Sequence, residues 1–234
     1  MPSNHHTDEV FTEKRRPKSP IKFHLQLNEE QKAAKEVILS STITLLAGKA
    51  GSGKTLLACQ AALDGLFSRQ YDKIVITRPT VSKEDIGFLP GDLHQKMDPW
   101  VQPIYQNMYA LYGKDRIQPY IERGDIEIVP LSFMRGRTFC KHAVLVDEAQ
   151  NVTMEQMEMI VTRLGIGSKM IICGDDGQVD LKNRGDSGFK FLYSAARKIK
   201  GLSAVTLLKN HRDPIVDDLI DLYEEELTRR SGKK

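Results

Sequence analysis

The chain has 234 residues, of which 40% are hydrophobic and 28% charged, with a net charge of +3. That is enough apolar material for one α/β core, and it excludes the weakly hydrophobic, highly charged class of disordered chains. The basic excess sits at the two ends, so nothing argues for a globally basic, nucleic-acid-coating body; any such groove must come from local patches.

In chain order, residues 1–22 are polar, rich in Pro and basic residues, and predict a disordered tail without the apolar stretch of a secretory signal. One domain is expected over 23–227 and a basic end over 228–234. LNEEQKAAKEVILSS (27–41) predicts a helix: Asn28 is its N-cap, Gln31 stands three residues on as a capping partner, and Ala34, Val37 and Ile38 share a face. Short apolar strands are expected at 43–48, 73–78, 126–131, 143–147, 169–174 and 203–208. Helices are expected at 54–68, 98–112, 153–164, 187–199 and 214–227. Strands alternating with helices predict an α/β fold, a mostly parallel sheet flanked by helices on both faces. No run is long and apolar enough for a membrane helix, so no membrane association is expected and the cytoplasm is the default. Cys59, Cys140 and Cys173 lie far apart in apolar stretches and read as reduced core residues. No Cys/His cluster has zinc spacing, so no zinc is expected.

The strongest local signal is Gly48-Lys49-Ala50-Gly51-Ser52-Gly53-Lys54-Thr55, a full phosphate-loop pattern. An apolar strand precedes it and a helical stretch follows, the context the pattern requires. Small residues let backbone N–H groups turn inward around phosphates. Lys54 reaches the β- and γ-phosphates, and Thr55 offers a hydroxyl to Mg²⁺ where the helix dipole favours anions. ATP and Mg²⁺ are therefore the expected ligands.

HAVLVDEAQN (142–151) ends a second apolar strand in two acids. Asp147 fits the Mg²⁺-binding carboxylate that partners Thr55. Glu148 fits a base that takes a proton from water aligned on the γ-phosphate, which makes the reaction hydrolysis; a kinase needs no such residue. The competing reading of Glu148 is an N-cap acid for the next helix, for which Thr153 is better suited. Beyond the following strand, Gln178 can hydrogen-bond both the γ-phosphate and the attacking water; a plain polar turn, GDDGQ, is its other reading. Arg212, after the sixth strand, is either a charge-stabilising arginine or a surface charge.

Together GKAGSGKT, VDEAQ and GDDGQ resemble a RecA-like ATPase of the superfamily 1 helicase kind, and four longer stretches resemble the PhoH family of P-loop ATPases. These are 77–105, MRGRTF (134–139), 144–181 and NHRDPIV (210–216), and the similarity runs over about residues 24–225. The resemblance implies ATP hydrolysis on a RecA-like fold and a link to nucleic acid, RNA above all. Some members carry a PIN-type nuclease domain; residues 1–22 are too short for one and no acidic cluster precedes the phosphate loop, so no nuclease activity is expected. A stand-alone domain fits a bacteriophage form, so the expected compartment is a bacterial or phage-infected cytoplasm. NHR (210–212) departs from the family's usual arginine-then-histidine order, which puts the role of Arg212 in question. Gln31 resembles the residue that reads adenine in several helicases, beside its capping reading.

For nucleic acid, Arg78 ends the second strand on the sheet edge that carries Asp147, and Arg135 and Arg137 stand in RGRT. Phosphate contacts are one reading of these arginines; for Arg78 and Arg135 the other is a structural ion pair, for instance with Glu84 and Asp85. Arg163 reads either as a group reaching a neighbouring subunit's nucleotide or as a helix C-cap. One ATPase lobe leaves the γ-phosphate open on one side. Either Arg212 folds back over it, or copies cover one another in a head-to-tail homo-oligomer such as a hexamer. The expected activity is ATP hydrolysis coupled to RNA or single-stranded DNA. The alternative is a nucleotide-gated protein-interaction switch with slow turnover.

Overall fold

A computed structural model describes residues 26–79, 93–175, 181 and 184–231. In chain order it contains α1 (Glu29–Ser40), β1 (Ile43–Gly48), α2 (Lys54–Phe67), β2 (Lys73–Thr77), α3 (Leu93–Tyr112), α4 (Lys114–Glu122) and β3 (Ile126–Ile128). There follow β4 (His142–Val146), α5 (Met154–Val161), β5 (Lys169–Gly174), α6 (Gly188–Ala195), β6 (Leu202–Leu207) and α7 (Pro214–Ser231). The six strands form one sheet in the order β3-β2-β4-β5-β1-β6, and every pairing is parallel. β5 thus lies between β1, which leads into the phosphate loop, and β4, which leads into the acidic pair. This is the RecA-like arrangement.

The strands are nearly continuous apolar runs because both faces are covered. Alternate residues feed two cores. Leu46, Ile76, Leu145 and Ile171 pack with Ile38 of α1, Leu57 of α2, Met108 of α3 and Ile117 of α4. Leu45, Val75, Val144 and Ile172 pack with Met157 and Ile160 of α5 and Phe189 of α6. Each fully buried Leu or Ile contributes about 1.5–3 kcal/mol, so the sheet's position is set by these two layers. At the margin, β6 has one half-solvated face.

Local chemistry fixes the helix ends. α1 starts with a capping box in which the Asn28 side chain accepts from the Gln31 N–H and the Gln31 side chain accepts from the Asn28 N–H. α5 starts with the same device between Thr153 and Gln156, which frees Glu148 from the capping reading. The C-terminal end of α1 is held from across the fold. Lys169, at the first position of β5 and only 7% exposed, donates to the carbonyls of Ile38, Leu39 and Ser41.

Two features depart from expectation. α4 was not legible because Pro119 stands inside it, Gly113 precedes it at φ 81°, and Ile117 is its one buried residue. It is held by tertiary contacts instead, with Arg116 over the Phe67 ring at 4.5 Å. The three thiols are free, but only Cys59 and Cys173 are buried; Cys140 is exposed. The inward place beside it is taken by Phe139, at 1% exposure.

Candidate nucleotide-binding site

The carboxyl ends of β1, β4 and β5 open onto a cavity of about 390 Å³. It is lined by Ala50, Gly51, Gly53, Lys54 and Thr55 from the loop, by Asp147, Glu148 and Gln150 after β4, by Asp175 after β5, and by Arg212. In an open parallel sheet this edge is where ligands bind, because helix N-termini and loops converge there.

The loop's path needs glycine. Gly51 and Gly53 take φ of 88° and 85°, a region that residues with a Cβ rarely adopt, and a side chain at either would have to displace a neighbour. A Cβ on Gly51 would stand 2.4 Å from the Asn210 amide oxygen and 2.9 Å from Arg212 Cγ; on Gly53 it would meet Gln31 Nε2 at 2.7 Å. Lys54 Nζ donates to the loop's own carbonyls, Gly48 at 2.6 Å and Lys49 at 2.9 Å. The hydroxyl of Ser52 is buried without a hydrogen-bond partner.

Thr55 Oγ1 donates to Asp147 Oδ1 at 2.9 Å, joining the start of α2 to the end of β4. Burial, and then the neighbouring Glu148 charge, push the Asp147 carboxyl above the usual carboxylate range, partly offset by the Thr55 hydroxyl and Arg78. A hydroxyl and a buried carboxylate that resists standing alone form the hard-oxygen donor set a small divalent cation takes. The residues present therefore fit Mg²⁺.

Glu148 follows in the left-handed region, at φ 51° and ψ 37°, a conformation costing about 1–2 kcal/mol for a residue with a Cβ. Its carboxylate is gripped on both oxygens. Arg78 Nη2 lies 3.3 Å from Oε1, and Gln150 Nε2 donates to Oε2 at 2.6 Å. Gln150 is 1% exposed; its amide oxygen accepts the Asp175 N–H at 3.0 Å, and its backbone carbonyl accepts from Ser187 Oγ at 3.0 Å.

The segment after β6 is stitched over the loop. The His211 N–H donates to the Gly51 carbonyl at 3.1 Å, and His211 Nε2 lies 3.1 Å from Asn28 Nδ2 and 3.3 Å from Gln31 Nε2. Gln31 thus serves as a capping residue and also abuts the phosphate loop. The geometry also puts Arg212 beside its own chain's loop.

The sequence-derived candidates divide cleanly. Gly48 to Thr55, Asp147, Glu148 and Arg212 gather at one edge with Gln31 behind them. Gln178 lies outside the described residues, as do Glu84 and Asp85. Arg78 forms an ion pair with Glu148 among its contacts. Arg137 pairs with Glu127 at 2.5 Å and lies over the Phe139 ring at 5.1 Å, while Arg135 is exposed. Arg163 sits at the opposite edge of the sheet, where its carbonyl accepts the Phe139 N–H ahead of β4; its Nη2 donates to Thr162 at 3.2 Å. Gln150 and Asp175 were missed. Gln150 carried a signal, its place in VDEAQ, but nothing local shows which way its amide turns.

Comparison with known proteins agrees with the resemblance read from the motifs. A family model described as PhoH-like protein matches residues 25–224. The PhoH-like protein of Synechocystis sp. (strain ATCC 27184 / PCC 6803 / Kazusa) is 41% identical over 192 residues, covering 81% of this chain and 58% of that protein. That of Bacillus subtilis (strain 168) is 44% identical, covering 76% and 57%. Protein PhoH of Escherichia coli (strain K12) is 41% identical, covering 71% and 47%. The chain spans about half the length of the curated relatives it matches. Among solved structures, Pif1 helicase from Candida albicans aligns at TM-score 0.46 and 18% identity, covering 84% of this chain and 43% of that one. Bacteroides Pif1 bound to ssDNA aligns at TM-score 0.43 and 15% identity, covering 84% and 46%. With a phosphate loop, an acidic pair and a parallel sheet in this order, and a family match over 25–224, the chain belongs to the PhoH-like protein family and carries its P-loop NTPase fold.

Proposed function

We propose that this chain binds ATP with Mg²⁺ and hydrolyses it, and that hydrolysis is coupled to binding or remodelling of RNA or single-stranded DNA. The observation that carries the reading is the 2.9 Å contact between Thr55 and Asp147 with Glu148 next in the chain, at the mouth of the phosphate-loop cavity. Gly48 to Thr55 wrap the phosphates with backbone N–H groups, and Lys54 exchanges its loop carbonyls for phosphate oxygens. Thr55 and Asp147 would hold Mg²⁺, which supplies neutralisation of phosphate charge when bound. Glu148 accepts a proton from water as its oxygen attacks the γ-phosphorus and the bond to the bridging oxygen breaks. Gln178 orients that water, and Arg212 offsets charge on the transferring group. Arg135 and Arg137, with Arg78, are the candidate contacts to the nucleic-acid backbone.

A homo-oligomer, with a hexamer as one closed form, fits two further observations. Arg163 lies at the sheet edge away from its own cavity, so a nucleotide it touches belongs to a neighbour. The last helix exposes Ile215, Leu219, Leu222 and Tyr223 by 47–69%, an apolar stripe at helical spacing. The same stripe favours the second reading, a nucleotide-gated switch for a protein partner.

The test is ATP hydrolysis measured with and without single-stranded RNA and DNA, using Glu148→Gln as the blank. Stimulation by one polymer, lost in the variant, is the expected result. Hydrolysis indifferent to both polymers moves the reading to the protein switch. A monomer by sedimentation that hydrolyses at full rate excludes the ring.

A further inference from the structure

The grip on Glu148 has two unlike arms. The Gln150 arm is neutral, buried and braced: its amide bridges Glu148 Oε2 and the Asp175 N–H, and its own carbonyl is held by Ser187. The Arg78 arm is charged and partly open to solvent. Its side chain is 26% exposed, that of Glu148 is 38% exposed, and the contact is 3.3 Å long. The two arms also come from different strands. Gln150 follows β4, whereas Arg78 is the first residue after β2. Strand register places it there: Thr77 is opposite Val146, and the Asp147 N–H donates to the Thr77 carbonyl at 3.0 Å. Arg78 therefore stands at the carboxyl edge of β2, beside the acidic pair, with its guanidinium turned inward onto the oxygen that faces it.

We infer that Arg78 and Gln150 are positioning residues for Glu148, and that Arg78 is the exchangeable one, releasing Glu148 when a phosphodiester of single-stranded nucleic acid takes its guanidinium. The inference rests on the hydrolysis reading above and adds the device that couples it to the polymer. The chemistry of exchange is favourable. A guanidinium holds a phosphate with the same two-pronged donor geometry it offers a carboxylate, so a backbone phosphate arriving at the β2 edge competes directly for Arg78. The ion pair is weak enough to lose: partly exposed pairs bias an equilibrium by up to about five-fold. Once Arg78 leaves, Oε1 is open to water while Gln150 still fixes the carboxylate's orientation through Oε2. A neutral buried amide cannot be drawn off by phosphate, which is why the two arms have separate duties: Gln150 aims the base and Arg78 withholds it.

The experiment uses the full chain with Mg²⁺ and ATP, alone and with single-stranded oligo(U) or oligo(dT), comparing wild type, Arg78→Gln, Arg78→Lys and Glu148→Gln. Thermal melting confirms that the variants fold. Arg78→Gln is expected to raise kcat without polymer by about two- to five-fold at unchanged KM for ATP, and to lose further stimulation by either polymer. Arg78→Lys, which keeps the cation without the guanidinium fork, is expected to give a polymer-free rate below that of Arg78→Gln. A purely structural role for Arg78 moves neither the kcat-against-KM split nor the lysine rescue. An Arg78→Gln rate equal to or below wild type, with the wild type still above the Glu148→Gln blank, overturns the clamp and leaves the hydrolysis reading standing. A raised Arg78→Gln rate in a protein that neither polymer stimulates overturns nucleic acid as the releasing ligand. A wild type no faster than Glu148→Gln removes the hydrolysis reading and this inference with it.

Discussion

The two ends of the sheet treat a cation in opposite ways. At the amino end, Lys169 is buried and surrounded by the carbonyls of Ile38, Leu39 and Ser41, which end α1. At the carboxyl end, Arg78 meets Glu148 at 3.3 Å with both side chains partly exposed, and Glu148 itself is strained at φ 51°. The amino end uses its charge to close a helix; the carboxyl end leaves its paired charges partly in solvent. One fold thus carries a buried, satisfied cation at one edge and a half-solvated ion pair at the other. A satisfied, buried cluster cannot be exchanged without loss of structure, whereas a strained, half-solvated one can.

Glu148→Gln is expected to lower kcat by about 10²–10⁴-fold, the range for a positioned general base, while nucleotide affinity and melting temperature hold. Loss of folding in that variant, measured by thermal denaturation, would falsify the division of labour. Lys54→Ala, at the same edge, removes nucleotide binding by isothermal titration.

Lys169→Met probes the other edge. It leaves three carbonyls short of a donor and is expected to cost about 2 kcal/mol, read as a lowered urea midpoint with ATP affinity unchanged. Its pH dependence has a definite sign. Burial holds the Lys169 ammonium below its ordinary value of 10.5, so between that depressed value and 10.5 the unfolded chain binds the proton more tightly. Wild-type stability relative to Lys169→Met rises with pH through that window and falls as pH drops back through the folded value.

Gly51→Ala sharpens the view of the carboxyl edge. The residue sits at φ 88° with Asn210 and Arg212 against the missing Cβ, so the substitution strains the loop and displaces the segment that covers it. About ten-fold weaker ATP binding is expected from a strain of this kind; an unchanged dissociation constant would show that residues 210–212 do not belong to the site. The smallest effect is Arg137→Ala. Its partner Glu127 is on the sheet margin, and a pair this exposed is worth at most about 1 kcal/mol. Stability within that limit but weaker binding of labelled oligo(U), by fluorescence anisotropy, would place Arg137 in the nucleic-acid contact; unchanged binding leaves it a structural pair.

Much of the fold was legible because its signals are local or periodic. All six strands lie within three residues of the expected apolar runs, and the Asn28–Gln31 cap and the Thr153 cap were both legible, whereas Gln156 as the partner of Thr153 was not. α4 was not legible, since Pro119 and a nearly wholly polar face hide a helix that Ile117, Arg116 and Phe67 hold in place. Cys140 was misplaced in the core because its apolar neighbour Phe139 claims the interior and the chain reverses face at the next residue.

The succession of strands and helices, the glycine path of the phosphate loop, and the placing of Asp147 and Glu148 at the end of an apolar strand are written locally in the sequence. Each of these depends on neighbours a few residues away, through spacing, propensity and backbone freedom. That Arg78 faces Glu148, that Gln150 braces the Asp175 backbone, that His211 meets Gln31, and that Lys169 closes α1 follow from long-range packing. Those contacts join residues from 25 to 180 positions apart, and they exist because β2 lies beside β4 and β5 beside β1 in one particular register. Strand order is chosen by how two helical layers bury both faces of the sheet at once, a property of the whole chain that no single segment contains.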